Sequence, residues 1–158
     1  MMAWRSHLAA LLADRRGASA MELVLISGML FAMTLGVADL ALAFRSALKL
    51  EQAAGRAAEW ATAPGTVALN YAAMGTEAAT AYGDTLSATP VVDTWLECNG
   101  SKAASFTSIC PAGQQIARFA SVKLSDEYMP LFDFGGIISG AGPNGGFMMS
   151  GSASVRIQ

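Results

Sequence analysis

The chain has 158 residues, 53% of them hydrophobic and 14% charged, with a mean hydropathy of +0.40, whereas a soluble domain usually carries about 25% charged residues. That is one domain's worth of chain, and the surplus of apolar residues gathers near the N-terminus, which points to a membrane segment instead of an unusually large core. The net charge is -2, and no lysine or arginine cluster beyond the first residues is large enough to follow a phosphate backbone, so nucleic acid is excluded as a partner.

Residues 1–17 form a polar, basic leader with a short apolar patch at Leu8, Leu11 and Leu12. Beyond it stand 7 basic residues (10 less Arg5, Arg15 and Arg16) against 11 acidic ones (12 less Asp14). Basic charge before an apolar stretch and acidic charge after it predict a cytoplasmic N-terminus and an exported remainder. Residues 18–44 are almost wholly apolar, and Glu22 and Asp39 are the only charges between Arg16 and Arg45. The uncharged run 23–38 has 16 residues; its flanks bring it to the ~20 of a spanning helix.

A secretory signal peptide would place a small-residue cleavage site after its apolar core, but no turn follows Phe44. The helical pattern runs on through Leu50, Ala53, Ala54, Ala57, Ala58 and Ala61, a stripe of mostly small residues on one face. Pro64-Gly65 ends it. The expectation is one helix over residues 18–61, roughly 65 Å long, half in the bilayer and half projecting. Gly28, Ala32 and Gly36 recur at four-residue spacing. They read either as a close-packing face for another helix, with Asp39 on the same segment, or as the ordinary small residues of membrane helices.

The spacing of Ala68, Tyr71, Ala72, Gly75, Ala79, Tyr82 and Leu86 predicts a second helix over 66–86. After Pro90 the pattern changes to strands at 91–98, 116–125 and 149–157, the last alternating best. The expected fold is α+β: a long N-terminal transmembrane helix, a second helix and a small antiparallel sheet of about three strands. Cys98 and Cys110 fall in the exported part, where an oxidising compartment favours a disulfide. The loop 126–146 is glycine-rich yet carries Phe132, Phe134 and Ile137; an apolar loop of that length predicts a partner surface.

Function is carried by the junction Arg15-Arg16-Gly17-Ala18-Ser19-Ala20-Met21-Glu22-Leu23. A basic pair, a glycine, small residues and a glutamate precede the apolar run. This resembles the processing site of type IV pilin-like proteins, with Leu23 where that pattern has an aromatic. The resemblance implies cleavage by a prepilin peptidase between Gly17 and Ala18, with Glu22 as the fifth residue of the mature chain. The cut frees an α-amino group with a pKa near 8, whose charge is costly among apolar helices unless paired. Glu22 of a neighbouring subunit supplies the pair and fixes register.

With Asp39 late in the apolar run, Phe44 and the stretch Gln52-Ala53-Ala54-Gly55-Arg56-Ala57-Ala58, residues 15–61 resemble the TadE-like pseudopilins of tight-adherence (Flp-type) pilus systems. Cys110–Gly113, Ala117-Arg118-Phe119, Tyr128-Met129-Pro130-Leu131 and the closing 150–156 extend the likeness. The resemblance implies a type IV pilin-like fold and a minor subunit that supports assembly, initiation or anchoring of an adhesive pilus. The implied partners are the prepilin peptidase, other pilins and pseudopilins, the assembly platform in the inner membrane, and the lipid bilayer. The organisation expected is a leader at 1–17, the long helix at 18–61 and an exported domain at 62–158 in the periplasm.

An enzyme is not expected. The only histidine, His7, lies in the leader, which removes Ser-His-Asp and Cys-His arrangements and the usual histidine metal sites from the exported part. The glycine pairs at 135–136 and 145–146 precede no helix, and no cofactor or metal is implied. Asp126-Glu127 reads as a solvated turn. The competing class is an uncleaved single-pass membrane protein with an exported binding domain.

Overall fold

A computed structural model describes residues 16–63, 71–132, 140 and 142–157. Helix α1 covers Arg16–Thr62 and helix α2 Ala73–Tyr82; the strands are β1 (Val91–Cys98), β2 (Ser101–Lys102), β3 (Ile116–Tyr128) and β4 (Phe147–Arg156). They form one antiparallel sheet in the order β2-β1-β3-β4. A long apolar helix, a short helix and a small antiparallel sheet make an α+β, pilin-like fold. The chain divides into two compact units, Met1–Leu40 and Ala41–Gln158.

In the first unit, α1 has no apolar partner among the described residues. Leu25 is 72% exposed and Phe31 66%, and their neighbours along residues 20–34 are exposed throughout. The helix is long and apolar enough to cross a membrane by length and composition. Its hydroxyls are satisfied locally: Ser27 Oγ donates to the Val24 carbonyl at 3.0 Å and Thr34 Oγ1 to the Leu30 carbonyl at 2.8 Å. A polar side chain that bonds back to its own helix is tolerated in lipid, where no water can satisfy it.

The second unit is built on the alanine stripe. Leu50, Ala53, Ala54, Ala57 and Ala61 of α1 are buried with Met74, Ala78 and Tyr82 of α2 and Ala120, Val122 and Leu124 of β3. Period two on β3 and the helical period on α1 aim these side chains at one core. Small residues on α1 let its backbone come close to the sheet. Closest of all is Gly151 of β4: a Cβ there would stand under 3.0 Å from backbone atoms of Leu50 and Glu51, so no other residue fits without moving the helix or the strand. Each large buried side chain, such as Leu50 or Leu124, contributes about 1.5–3 kcal/mol by leaving water.

Several elements differ from the sequence pattern: helix α2 begins at Ala73 and β4 at Phe147, against expected starts at 66 and 149. Helix α2 stops at Tyr82, not Leu86, because Gly83 takes the left-handed conformation (φ 77°) and its N–H caps the Ala79 carbonyl at 3.2 Å. Leu86 still packs half-buried against the core, from beyond the end of the helix. The sheet has four strands, not about three, because Asn99 (φ 49°) and Gly100 (φ 80°) turn the chain back into β2 within the expected disulfide loop. Two successive positive φ values make the tight hairpin turn that Asn-Gly favours. Strand β3 runs on to Tyr128, through the pair expected to be a turn.

Cys98 and Cys110 are joined, with Cα atoms 5.6 Å apart and a sequence separation of 12. The bridge ties the end of β1 to the segment that leads into β3. A loop of this size is stabilised by about 2–3 kcal/mol on the chain-entropy account. The sheet face opposite the core carries Trp95 stacked on Phe119 (ring centroids 5.2 Å apart), with Trp95 Nε1 donating to Glu97 at 2.8 Å.

Candidate processing and assembly site

Gly17 and Ala18 lie in the first turn of α1. Glu22 is exposed and follows Ala18 at i+4, so the two share a helix face. Around it Met21, Leu23, Val24 and Leu25 are all exposed apolar side chains. A carboxylate in such a setting is stable in an apolar medium only with a positive partner. Further along, Gly28, Ala32 and Gly36 occupy one row. Nothing stands within 4 Å of where a Cβ would sit on Gly28 or Gly36, and Ala32 is exposed, so this shallow strip of the helix is unfilled by the described chain. Asp39 is half-buried and has an interaction partner.

In the second unit the polar side chains fasten elements to one another. Asp126 of β3 accepts from Tyr82 Oη at 2.5 Å and from the Ser87 N–H at 2.9 Å. Burial by itself would raise the Asp126 carboxyl, but these bonds outweigh it and hold the group below its ordinary value. Tyr82 is pushed up to about 12, first by burial and then by the hydrogen bond and charge of Asp126. Lys49 of α1 lies 4.6 Å from the centre of the Tyr82 ring and pairs with Asp84. One cluster thus pins α1, the end of α2 and β3 together.

Glu127 points to the other face of β3 and accepts from the Asn144 N–H at 2.9 Å, Asn144 Nδ2 at 2.8 Å and the Gly146 N–H at 2.7 Å. Its burial cost is outweighed by these donors, led by Gly146, and its carboxyl is held low. The expected solvated turn at Asp126-Glu127 is therefore corrected: each carboxylate anchors a different segment to a strand. Adjacent residues on a strand face opposite ways, and that alternation was legible; the donors that meet them come from distant parts of the chain and were not.

Of the expected partner surface, Phe132 is half-buried, and Phe134 and Ile137 lie outside the described residues. The exposed apolar side chains there are Met129 (53%) and Leu131 (64%), which line a groove with Leu42, Arg45 and Tyr128. The sequence counts both among the apolar residues of the loop 126–146 expected to form a partner surface. Among the described residues no group of three or more His, Cys, Asp or Glu side chains is arranged to hold a metal ion.

Residues 17–59 match the family model of TadE-like proteins. That segment begins at the glycine of the proposed cut and ends within the alanine stripe that packs on the sheet. No curated protein and no solved structure matches the chain.

Proposed function

From a chain whose residues 17–59 are TadE-like, we propose a minor pilin-like subunit that supports assembly, initiation or anchoring of a Flp-type pilus, and not an enzyme. The observation that carries this reading is the coincidence, on one helix, of a glycine-preceded start, a carboxylate at Glu22 and an exposed apolar face with no partner among the described residues. The prepilin peptidase removes residues 1–17. The helix stays in the inner membrane, with its start on the cytoplasmic side and the α+β domain in the periplasm.

The chemistry runs from the cut. Hydrolysis after Gly17 leaves a cationic amine on Ala18 at neutral pH. In an apolar helix bundle an unpaired amine or an unpaired carboxylate each costs several kcal/mol, and together they offset one another. Glu22 thus makes entry into a helix array conditional on processing. Other pilins, pseudopilins and the assembly platform are the partners this reading implies. Glu22→Ala tests it: the variant should be processed normally and remain in the membrane, yet fail to restore pili to a strain lacking the chain. Normal piliation by that variant overturns the pairing role.

A further inference from the structure

We infer that the first turn of the β3–β4 loop, Met129-Pro130-Leu131, rests in the headgroup layer of the bilayer that α1 enters. The second unit then touches the membrane at two points, the helix and this loop. The inference rests on the membrane-spanning reading of α1 but not on which side of the membrane the domain occupies.

The apolar run of α1 gives way to charge at Arg45, the first basic residue after Arg16. Arg45 stands five residues beyond Leu40, about 7.5 Å of helical rise, and the interfacial layer on each side of a bilayer is about 5–8 Å deep. Leu42 and Arg45 therefore stand where the apolar run of α1 meets charge. Met129 and Leu131 line the same groove as Leu42 and Arg45, so they flank α1 where its charge resumes. All of these residues belong to one compact unit.

The chemistry of the patch suits an interface between water and lipid. Leu131 and Met129 are more than half exposed, a cost in water that vanishes at the acyl boundary. Tyr128, half-buried, borders them, and tyrosine favours this layer because its ring is apolar and its hydroxyl polar. Pro130 carries no N–H to desolvate. Lys49 is already paired with Asp84, whereas Arg45 is exposed with no ion pair among the described residues. It is placed to meet a lipid phosphate while its stem lies along apolar surface.

The test uses the full chain reconstituted in vesicles of phosphatidylethanolamine and phosphatidylglycerol. No free cysteine is present among the described residues, so nitroxide labels go to single introduced thiols in Met129→Cys, Leu131→Cys, Ala32→Cys and Lys102→Cys. Collision rates with oxygen and with a water-soluble nickel chelate report depth. The label at 131 should be shielded from nickel several-fold relative to that at 102, and less completely than that at 32. A label at 131 as open to nickel as that at 102, with 32 shielded, overturns the inference and leaves the span intact. Aqueous behaviour at 32 removes the membrane reading, and the inference with it. Shielding at 131 that disappears as protein is diluted in lipid assigns the surface to another protein copy and also overturns the inference.

Discussion

Leu30 and Leu50 sit on the same helix, yet Leu30 is 58% exposed and Leu50 0%. From Leu50 to Ala61 the apolar face is narrow, mostly alanine, and covered by α2 and the sheet. Over residues 21–33 large apolar side chains point in every direction and all of them are exposed among the described residues. A one-sided stripe is a request for a partner within the fold; an all-round apolar surface is a request for a different solvent. The two halves show that hydrophobicity alone does not decide burial. The width of the apolar face does.

The sharpest way to break this contrast is to truncate both leucines. Leu50→Ala should lower the stability of the folded domain by about 2–5 kcal/mol, as for other buried leucines. Leu30→Ala should change it by less than about 0.5 kcal/mol. Chemical unfolding of the detergent-solubilised chain, followed through near-UV circular dichroism, compares them. Equal losses would mean that residue 30 packs within the domain.

A slightly smaller effect is expected at the closest approach of helix and sheet. Gly151→Val inserts a side chain against the backbone of Leu50 and Glu51, and overpacking of this kind costs about 1–3 kcal/mol. Ser152→Val, one residue on and exposed, is the control and should be near neutral. Similar losses for both would show that strand propensity, not contact with the helix, sets the requirement at 151.

An effect of comparable size concerns the Tyr82–Asp126 bond. Tyr82→Phe should cost about 1.5–3 kcal/mol near neutral pH, as for other hydrogen bonds to charged groups, with a pH signature that a packing loss would lack. Asp126 is held below its ordinary 3.8, so its contribution is present above that value and is lost as the pH falls through the lower, folded value. Tyr82 is raised from 10.0 to about 12, so its contribution is complete below 10 and is lost as the pH rises through 12. The gap between wild type and variant should be widest between these limits and close at both ends. A gap independent of pH would assign the loss to packing.

Much of this was legible from the residues. The helix, its apolar half and the alanine stripe follow from periodicity, and β1 from a run of strand formers bounded by Pro90 and Asn99. The stop at Gly83 was visible as a glycine but was overridden by Leu86, whose helical spacing was incidental. The hairpin into β2 was signalled by Asn99-Gly100 and masked by reading the whole inter-cysteine segment as loop. The clasp of Tyr82 on Asp126 and the cradle of Glu127 join residues 44 and 17–19 positions apart, and no local pattern encodes such meetings. Gly17 and Glu22 were legible as a motif because the roles proposed for them depend on spacing along one helix and not on tertiary contact.

The most direct measurement is the N-terminus of the protein extracted from membranes of cells with an active prepilin peptidase, read by Edman degradation or mass spectrometry. The expected mature chain begins at Ala18 and has 141 residues, the 158 of the full chain less 17. Gly17→Arg should leave the leader in place. A wild-type N-terminus at Met1 under these conditions would contradict the pilin-like reading and leave an uncleaved membrane anchor with an exported binding domain.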